Sequence, residues 1–210
     1  MGTSSGARSA VERASGEKDA LAPAHTDWLR HELMVSGPPA DVAAFRTAAA
    51  GAGAIPWRYA DLDLDEEDRV HALLHPPDGS AGLRLAAARV LARQLRGAVE
   101  LHQDRVTEAV GRSRLCPFDL HALLPVPESL LRQGPDDPGS LAWLRANWGV
   151  IRALRHVRLL DDPADRRRRH SARLRYEFWS ADWTPWAAFA ALHKAWPSLV
   201  FDVRPDYDDG

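Results

Sequence analysis

The strongest constraint on the fold is a strand–helix–strand pattern near the end of the chain. Leu174, Tyr176 and Phe178 alternate with charged side chains, which predicts a strand with one buried face. The segment TPWAAFAALHKAW then has helical spacing, with Thr184 as the predicted cap, and LVFDVRP is typical of a final strand. A helix between two strands must pack over the sheet they form, so the pattern predicts an α+β fold.

The same segment contains four of the eight tryptophans: Trp179, Trp183, Trp186 and Trp196. Burying one aromatic ring removes about 150–250 Å² from water, which stabilises a fold by several kcal/mol. We therefore expect the cluster to be mainly core, with Trp186 and Phe189 on the helix face that meets the sheet. Trp179 and Trp183 lie off that face or near the turn, so they are the predicted ligand-contacting exceptions.

The order of predicted elements indicates one domain with an insertion. LRHELMVSG predicts a strand and PPADVAAFRTAAAGAG a helix, whereas CPFDLHALLPVP, IRALRHVRLLDD and SARLRYEFWSAD predict three further strands. With a helical insertion at about residues 55–113 set aside, this is the ferredoxin-like plan of an antiparallel sheet with helices on one face. Residues 1–25 are small, polar and aperiodic, which predicts a disordered arm before a single domain at 26–210.

Composition excludes several classes of protein. The formal net charge is −2, so no global charge demands a nucleic acid or a membrane as partner. Cys116 is the single cysteine, which excludes an intrachain disulfide and zinc sites with several thiolates, and fits the cytosol. No run of eighteen apolar residues occurs, and no glycine-rich phosphate loop is present. We expect a cytoplasmic protein without cofactor and without a membrane partner.

Two sets of arginines are candidates for contact with nucleic acid. Residues 83–110 form the strongest helical pattern, with an apolar stripe that includes Leu91 and Leu95 and a separate row of Arg89, Arg93 and Arg96. The second set is the run Arg166, Arg167, Arg168 and Arg169 in a predicted hairpin turn, partly offset by three preceding aspartates. Either set is also compatible with a solvated surface.

Candidates for metal binding and catalysis are weaker. His71 and His75 lie four residues apart on a predicted helix and share one face, but a zinc site needs at least a third ligand. Asp119 and His121 are two positions apart on a predicted strand near Cys116 and so share one side of it, an arrangement that would suit the nucleophile, base and orienting group of a hydrolase.

Asn147 ends the predicted short helix DDPGSLAWLRANWG, where it is a candidate ligand contact or a structural side chain beside Trp148 and Gly149. No residue is assigned a catalytic or cofactor-binding role.

Four segments resemble a known group of proteins: HELMVSGPPADVAAF, CPFDLHALLPVPESLL, WLRANWGV and YEFWSADWTPWAAFAALHKAWPSLVFDVR. Together they are similar to the uncharacterised bacterial proteins, often carried by plasmids or phages, that have a YubB-like ferredoxin-like domain. The chain departs from that pattern at Val150 and Ile151, where the family often has Thr-Lys, and at SADWTPW in place of TAWSPP. The resemblance implies the fold and a link to mobile genetic elements, and it implies no activity.

The function expected from the sequence is that of a non-catalytic binding or accessory module, with a protein as the foremost expected partner. Its binding surface would be the open face of the sheet or the arginine hairpin. Two alternatives remain open, namely a nucleic-acid-binding protein that uses the arginines and an unrecognised hydrolase.

Overall fold

A computed structural model describes residues 27–58, 61–160 and 171–206. Their strands are β1 (Trp28–Gly37), β2 (Arg155–Leu160), β3 (Ala172–Ala181) and β4 (Val200–Asp206). Their helices are α1 (Pro39–Ala49), α2 (Leu62–Leu74), α3 (Leu85–Ala109), α4 (Leu120–Leu123), α5 (Glu128–Leu131), α6 (Pro138–Asn147) and α7 (Trp186–Ala195). The predicted disordered arm at 1–25 lies outside the described residues.

The strands form one open sheet in the order β2-β3-β1-β4, and every neighbouring pair is antiparallel. Its register places Leu33 opposite both Tyr176 and Val203, so these three side chains point to the same side. The predicted α+β class with an antiparallel sheet is confirmed.

Helices α1 and α7 cover one side of the sheet, as predicted. On β1 the side chains of His31, Leu33 and Val35 are buried beneath them, and the intervening Glu32 and Met34 stay half-buried on the opposite side. A strand whose residues alternate in this way buries one face and leaves the other open to water.

A cluster of aromatic rings joins the helices to the sheet. Phe118 lies at its centre, with its ring centroid 5.4 Å from that of Tyr176, 5.8 Å from that of Phe178 and 6.2 Å from that of Phe189. Phe45 of α1 completes the group at 6.4 Å from Phe118. All five side chains are buried, so contacts between phenylalanine and tyrosine rings, and not tryptophan, form most of this interior.

The tryptophan prediction is wrong for Trp186, whereas Trp179 and Trp183, the expected exceptions, do lie outside the core. Trp186 is 50% exposed and Trp183 is 61% exposed, whereas Trp179 lies on the open side of the sheet. Trp196 packs edge-on against Phe45, with 5.4 Å between ring centroids. Trp148, from a different segment, is the fully buried tryptophan of the core.

The reason for the error is the rotation of α7 about its axis. Phe189 faces the sheet as predicted, but its buried companions are Ala188 and Leu192, on the side away from Trp186. The preceding turn lies against Gly149, where an added Cβ would lie 3.2 Å from the backbone nitrogen of Ala187. This close approach fixes the start of α7 and is not visible in the periodicity of its own sequence.

The strand predicted at residues 116–127 is also wrong. Only Cys116 makes a bridge, with two backbone hydrogen bonds of 2.9 and 3.0 Å to Gly51, and the chain then forms the short helices α4 and α5. Asp119 is the N-cap of α4, because its carboxylate accepts a hydrogen bond from the His121 backbone N–H at 2.9 Å. Its other oxygen accepts from the Gly53 N–H at 2.9 Å, which ties the bridge to the helix.

Helices α2 and α3 form a hairpin between the two partners of this bridge, Gly51 and Cys116. They pack mainly on each other, and α3 buries only Ala88 and Ala92 completely. Most of the apolar stripe noted in the sequence of α3 is therefore exposed. Among the described residues, no helix combines the length and apolar character needed to cross a membrane.

We predict that Phe118→Ala lowers the free energy of unfolding by about 3–5 kcal/mol, because it leaves a cavity among four aromatic rings. Urea denaturation followed by circular dichroism measures the change. Leu115→Ala is the matched control, since Leu115 is 92% exposed and its removal should change stability by less than about 0.5 kcal/mol. Equal effects of the two substitutions would contradict the central place of Phe118.

His31 makes the stability depend on pH. Its ring is fully buried and stacked on Phe178, with Nδ1 2.9 Å from the Leu29 carbonyl oxygen and Nε2 2.9 Å from the Thr184 hydroxyl. Burial lowers the pKa of His31 from its usual 6.5, although the bond to Leu29 acts in the opposite direction. The same cause lowers the pKa of His121.

Below pH 6.5 the histidine of the unfolded chain binds a proton, whereas His31 in the folded protein stays neutral until the pH reaches its lowered pKa. The contribution of His31 to stability is therefore complete above pH 6.5 and decreases as the pH falls towards the folded pKa. We predict a loss of stability between about pH 7.5 and about pH 5.5, and a smaller loss in His31→Gln, with His121 responsible for the remainder. Urea denaturation at both pH values measures it. An unchanged difference in the variant would assign the pH dependence to other groups.

Candidate functional site

The open side of the sheet carries rows of charged and aromatic side chains. The register aligns Glu32, Glu177 and Arg158 across β1, β3 and β2, and it aligns Arg30, Trp179 and Arg155 in the next row. These positions alternate with the buried ones, so the strand period alone places them on one surface.

Glu177 lies at the centre of this surface and is 4% exposed. One carboxylate oxygen accepts hydrogen bonds from Arg30 Nε at 3.0 Å and Nη2 at 2.5 Å, and the other accepts from Arg158 Nε at 2.9 Å. The hydrogen bonds from Arg30, with a smaller contribution from Arg158, hold the pKa of Glu177 below its usual value despite its burial. Glu177 is therefore a charged anchor for two arginines.

Most other charges on the surface are also paired. Arg30 reaches Asp206 at 2.6 Å, and Arg204 reaches Asp202 at 2.8 Å. These pairs neutralise charges at the centre of the sheet and along β4.

A cleft at the β2 edge, which we call the Trp28–Trp179 cleft, holds further cationic groups. It is an open depression of about 680 Å³ lined by Trp28, Trp179, Arg155, His156, Val157 and Arg158. The Arg155 guanidinium carbon lies 4.0 Å from the centre of the Trp28 ring, a cation–π contact. The His156 ring meets Trp179 edge-on, with 5.4 Å between centroids. Among the described residues, no carboxylate forms an ion pair with Arg155.

An irregularity in β2 shapes the cleft. The pairing of β2 with β3 shifts between Arg155 and Arg158, and His156 has a left-handed backbone with φ of 49°. A bulge of this kind adds a residue to one strand and redirects its side chains. Here it places Arg155 and His156 beside the two tryptophans, at the end of the strand where β1 begins.

A second depression, of about 530 Å³, adjoins the cleft and shares Trp28 and Arg155 with it. Its lining also includes Trp57, which precedes α2, and His102 of α3. The two depressions are therefore neighbours on the surface between the sheet and α3.

The predicted arginine row of α3 does not line this cleft. Arg96 forms ion pairs with Asp63 and with Glu66 on α2, at 3.3 Å for Glu66, and Arg93 lies 3.4 Å from Glu66. Both therefore brace the hairpin, while Arg89 is exposed on α3. Arg166 to Arg169 lie outside the described residues.

The two histidines predicted as metal ligands, His71 and His75, have no third ligand beside them among the described residues. His71 and His75 are exposed, with 5.1 Å between ring centroids. In the part of the chain that the structure describes, no group of three or more His, Cys, Asp or Glu side chains is arranged to hold a metal ion.

The arrangement near Cys116 does not suit nucleophilic catalysis. Burial raises the pKa of the Cys116 thiol to about 11, and the thiol donates to the Phe118 carbonyl at 3.3 Å. His121 Nδ1 accepts from the Val126 N–H at 3.3 Å, so it is engaged elsewhere. Asp119 caps α4 and does not share one side of a strand with His121, which corrects that part of the prediction.

Of the three predicted ligand contacts, Trp179 lies in the cleft, whereas Asn147 and Trp183 do not. Asn147 is exposed and donates to the Trp143 carbonyl of its own helix at 2.9 Å, and Trp183 lies outside the cleft. Sequence reasoning missed Trp28, Arg155 and His156. Trp28 could have been found, because it is three positions from the buried His31 on one strand and so lies on the opposite face, which is the face of Trp179.

We predict that Glu177→Gln lowers the free energy of unfolding at neutral pH by about 1–3 kcal/mol, because two arginines lose a charged acceptor. Since the pKa of Glu177 is lowered in the folded protein, the difference between wild type and variant should vanish as the pH falls through that value. Glu32→Gln is the control; Glu32 is 45% exposed and 3.4 Å from Arg175, so its loss should cost less than about 1 kcal/mol. Urea denaturation measures both, and equal losses would refute the anchoring role.

Comparison with known proteins gives little further information. No protein-family model matches the chain, and no curated protein matches its sequence. Among solved structures, the protein api92 from Yersinia pseudotuberculosis, of the DUF1281 family model, is similar with a TM-score of 0.46 and 12% sequence identity. The similarity covers 87% of this chain and 90% of that chain. At these values it supports no inference about function.

Proposed function

We propose that this chain is a non-catalytic binding protein that holds single-stranded nucleic acid in the Trp28–Trp179 cleft. The observation that carries the proposal is the Arg155 guanidinium 4.0 Å from the centre of the Trp28 ring, beside a second tryptophan on the same open face. The Arg155 guanidinium lies over one face of the Trp28 ring, so a base would stack on the guanidinium plane or on Trp179, with the cation close to its phosphate.

The charges around the cleft favour an anionic ligand. Arg155 forms no ion pair with a carboxylate among the described residues, while Glu177 on the same face is neutralised by Arg30 and Arg158. Four-stranded sheets with exposed aromatic side chains recognise unpaired bases by stacking, whereas a paired duplex hides the faces of its bases. Single strands therefore suit this cleft better than duplexes.

The cleft favours nucleic acid over the protein partner that the sequence led us to expect first. Its walls combine aromatic faces with cations and contain no large aliphatic patch. The cytoplasmic location, the membership of the YubB-like ferredoxin-like group and the association with plasmids or phages rest on composition and resemblance. They remain predictions, and a protein bound to single strands is compatible with them.

We predict that Trp28→Ala and Trp179→Ala each weaken binding of a labelled single-stranded oligonucleotide about 5- to 150-fold, the equivalent of about 1–3 kcal/mol for one stacked base. Fluorescence anisotropy at low salt measures the affinity. Trp183→Ala is the matched control, because Trp183 is 61% exposed but outside the cleft, and its affinity should equal that of the wild type.

Arg155→Ala adds an electrostatic test. The slope of log affinity against log salt should fall by about 0.7, as expected for one lost phosphate contact to a single strand. Absence of binding at low salt, tighter binding of duplex than of single strand, or equal losses in Trp179→Ala and Trp183→Ala would each overturn the proposal.

A further inference from the structure

The second depression, which adjoins the cleft, is lined by an acidic residue as well as by basic ones. Its volume of about 530 Å³ lies in the range of pockets that hold one small organic ligand, and it shares Trp28 and Arg155 with the cleft. Its lining also includes Trp57, Arg152 and Asp136. An aromatic ring, a cation and a hydrogen-bond acceptor are the groups with which proteins contact the base face, the phosphate and the base edge of an unpaired nucleotide.

The chain around Asp136 is held in place by hydrogen bonds. The next residue, Asp137, is the N-cap of α6, and its carboxylate accepts from the Ser140 N–H at 2.9 Å. On the other side, the Arg58 N–H donates to the Leu131 carbonyl at 2.8 Å, which ties the chain that precedes α2 to the chain that leads to Asp136. Asp136 therefore has a fixed place in the lining of the second depression.

The side chain of Asp136 is not occupied by the protein itself. It is exposed, and no residue in the described part of the chain forms a hydrogen bond or an ion pair with it. Glu177 on the open face of the sheet, by contrast, is neutralised by two arginines. The carboxylate of Asp136 is therefore available to a ligand.

The signs of the charges separate the parts of a bound nucleotide. Arg152 and Arg155 are exposed and form no ion pair with a described carboxylate, so they attract a phosphate. Asp136 repels a phosphate but accepts from the amino group of a base, as acidic side chains accept from N4 of cytosine. Uracil has a carbonyl oxygen at that position, and a carboxylate repels it. The second depression therefore suits a base with an amino group.

We propose that the second depression holds a further base of the strand that is bound in the cleft, and that Asp136 selects cytosine over uracil at this position. The inference rests on the proposed function and adds a sequence preference to it. Arg152 contacts a phosphate of the same strand. The tryptophans of the cleft supply stacking that does not depend on sequence, whereas Asp136 determines specificity.

Two homopolymers test the preference, because oligodeoxycytidylate and oligodeoxyuridylate of about ten nucleotides differ only at the edge of the base. By fluorescence anisotropy, the wild type should bind the cytidylate at least about 5-fold more tightly, the lower end of the effect of a base-edge contact. In Asp136→Asn the ratio of the two affinities should fall close to one, because an amide offers an acceptor to cytosine and a donor to uracil. Since Asp136 is exposed, this variant should keep the circular dichroism spectrum of the wild type.

Asp68→Asn is the matched control for this substitution. Asp68 is exposed on α2 and lines neither depression, and its replacement removes the same charge, so the ratio of the wild type should be retained. Equal affinity of the wild type for the two strands, tighter binding of the uridylate, or an unchanged ratio in Asp136→Asn would overturn the inference and leave the proposed function standing. Absence of binding to both strands would overturn the two together.

Arg152→Ala tests the phosphate contact in the same depression. The slope of log affinity against log salt should fall by about 0.7, as expected for one lost contact to a single strand. Arg89→Ala is the control, because Arg89 is exposed on α3 and lines neither depression, and its slope should equal that of the wild type. A slope in Arg152→Ala equal to that of the wild type would refute the passage of the strand through the second depression.

Discussion

The packing of Phe118 between the helices and the sheet is the interaction on which the rest of the structure depends. Its ring contacts Phe45 of α1, Tyr176 and Phe178 of β3, and Phe189 of α7, so one side chain joins both helices to the sheet. The position of Phe118 is in turn fixed by the Gly51–Cys116 bridge just before it. The same bridge closes the base of the helical hairpin, which lets α2 and α3 project without disturbing the core.

Burial on one side of the sheet determines the chemistry of the other side. Because the alternate residues of β1 and β3 supply the core, their neighbours lie on the opposite face, and most of these are arginines, glutamates and tryptophans. Glu177 gathers two arginines and neutralises the centre of that face, while the irregular pairing of β2 leaves Arg155 beside Trp28. The cleft thus results from two features: the charges at the centre of the sheet are paired with each other, and the pairing of β2 with β3 is irregular.

Local sequence patterns predicted the strands and helices better than they predicted the tertiary contacts of those elements. The alternation of β3 and the existence of helix α7 were predicted correctly, since period and propensity act within one element. The strand expected after Cys116 was wrong because Asp119 instead caps a helical turn, which competes with strand pairing. Trp186 was misplaced by one position around its helix, an error that the contact with Gly149 explains and that no property of α7 alone reveals.

The sequence by itself determined the α+β class, because the two periods of its apolar residues dictate which elements have a face to bury. Only the tertiary structure decided which aromatic rings are interior, which arginines are bound to carboxylates, and where two distant tryptophans meet. Trp28 and Trp179 are 151 positions apart, and the antiparallel register between β1 and β3 brings them to one edge. A register is a long-range pairing set by the packing of the whole core, and it leaves no signal in either strand alone.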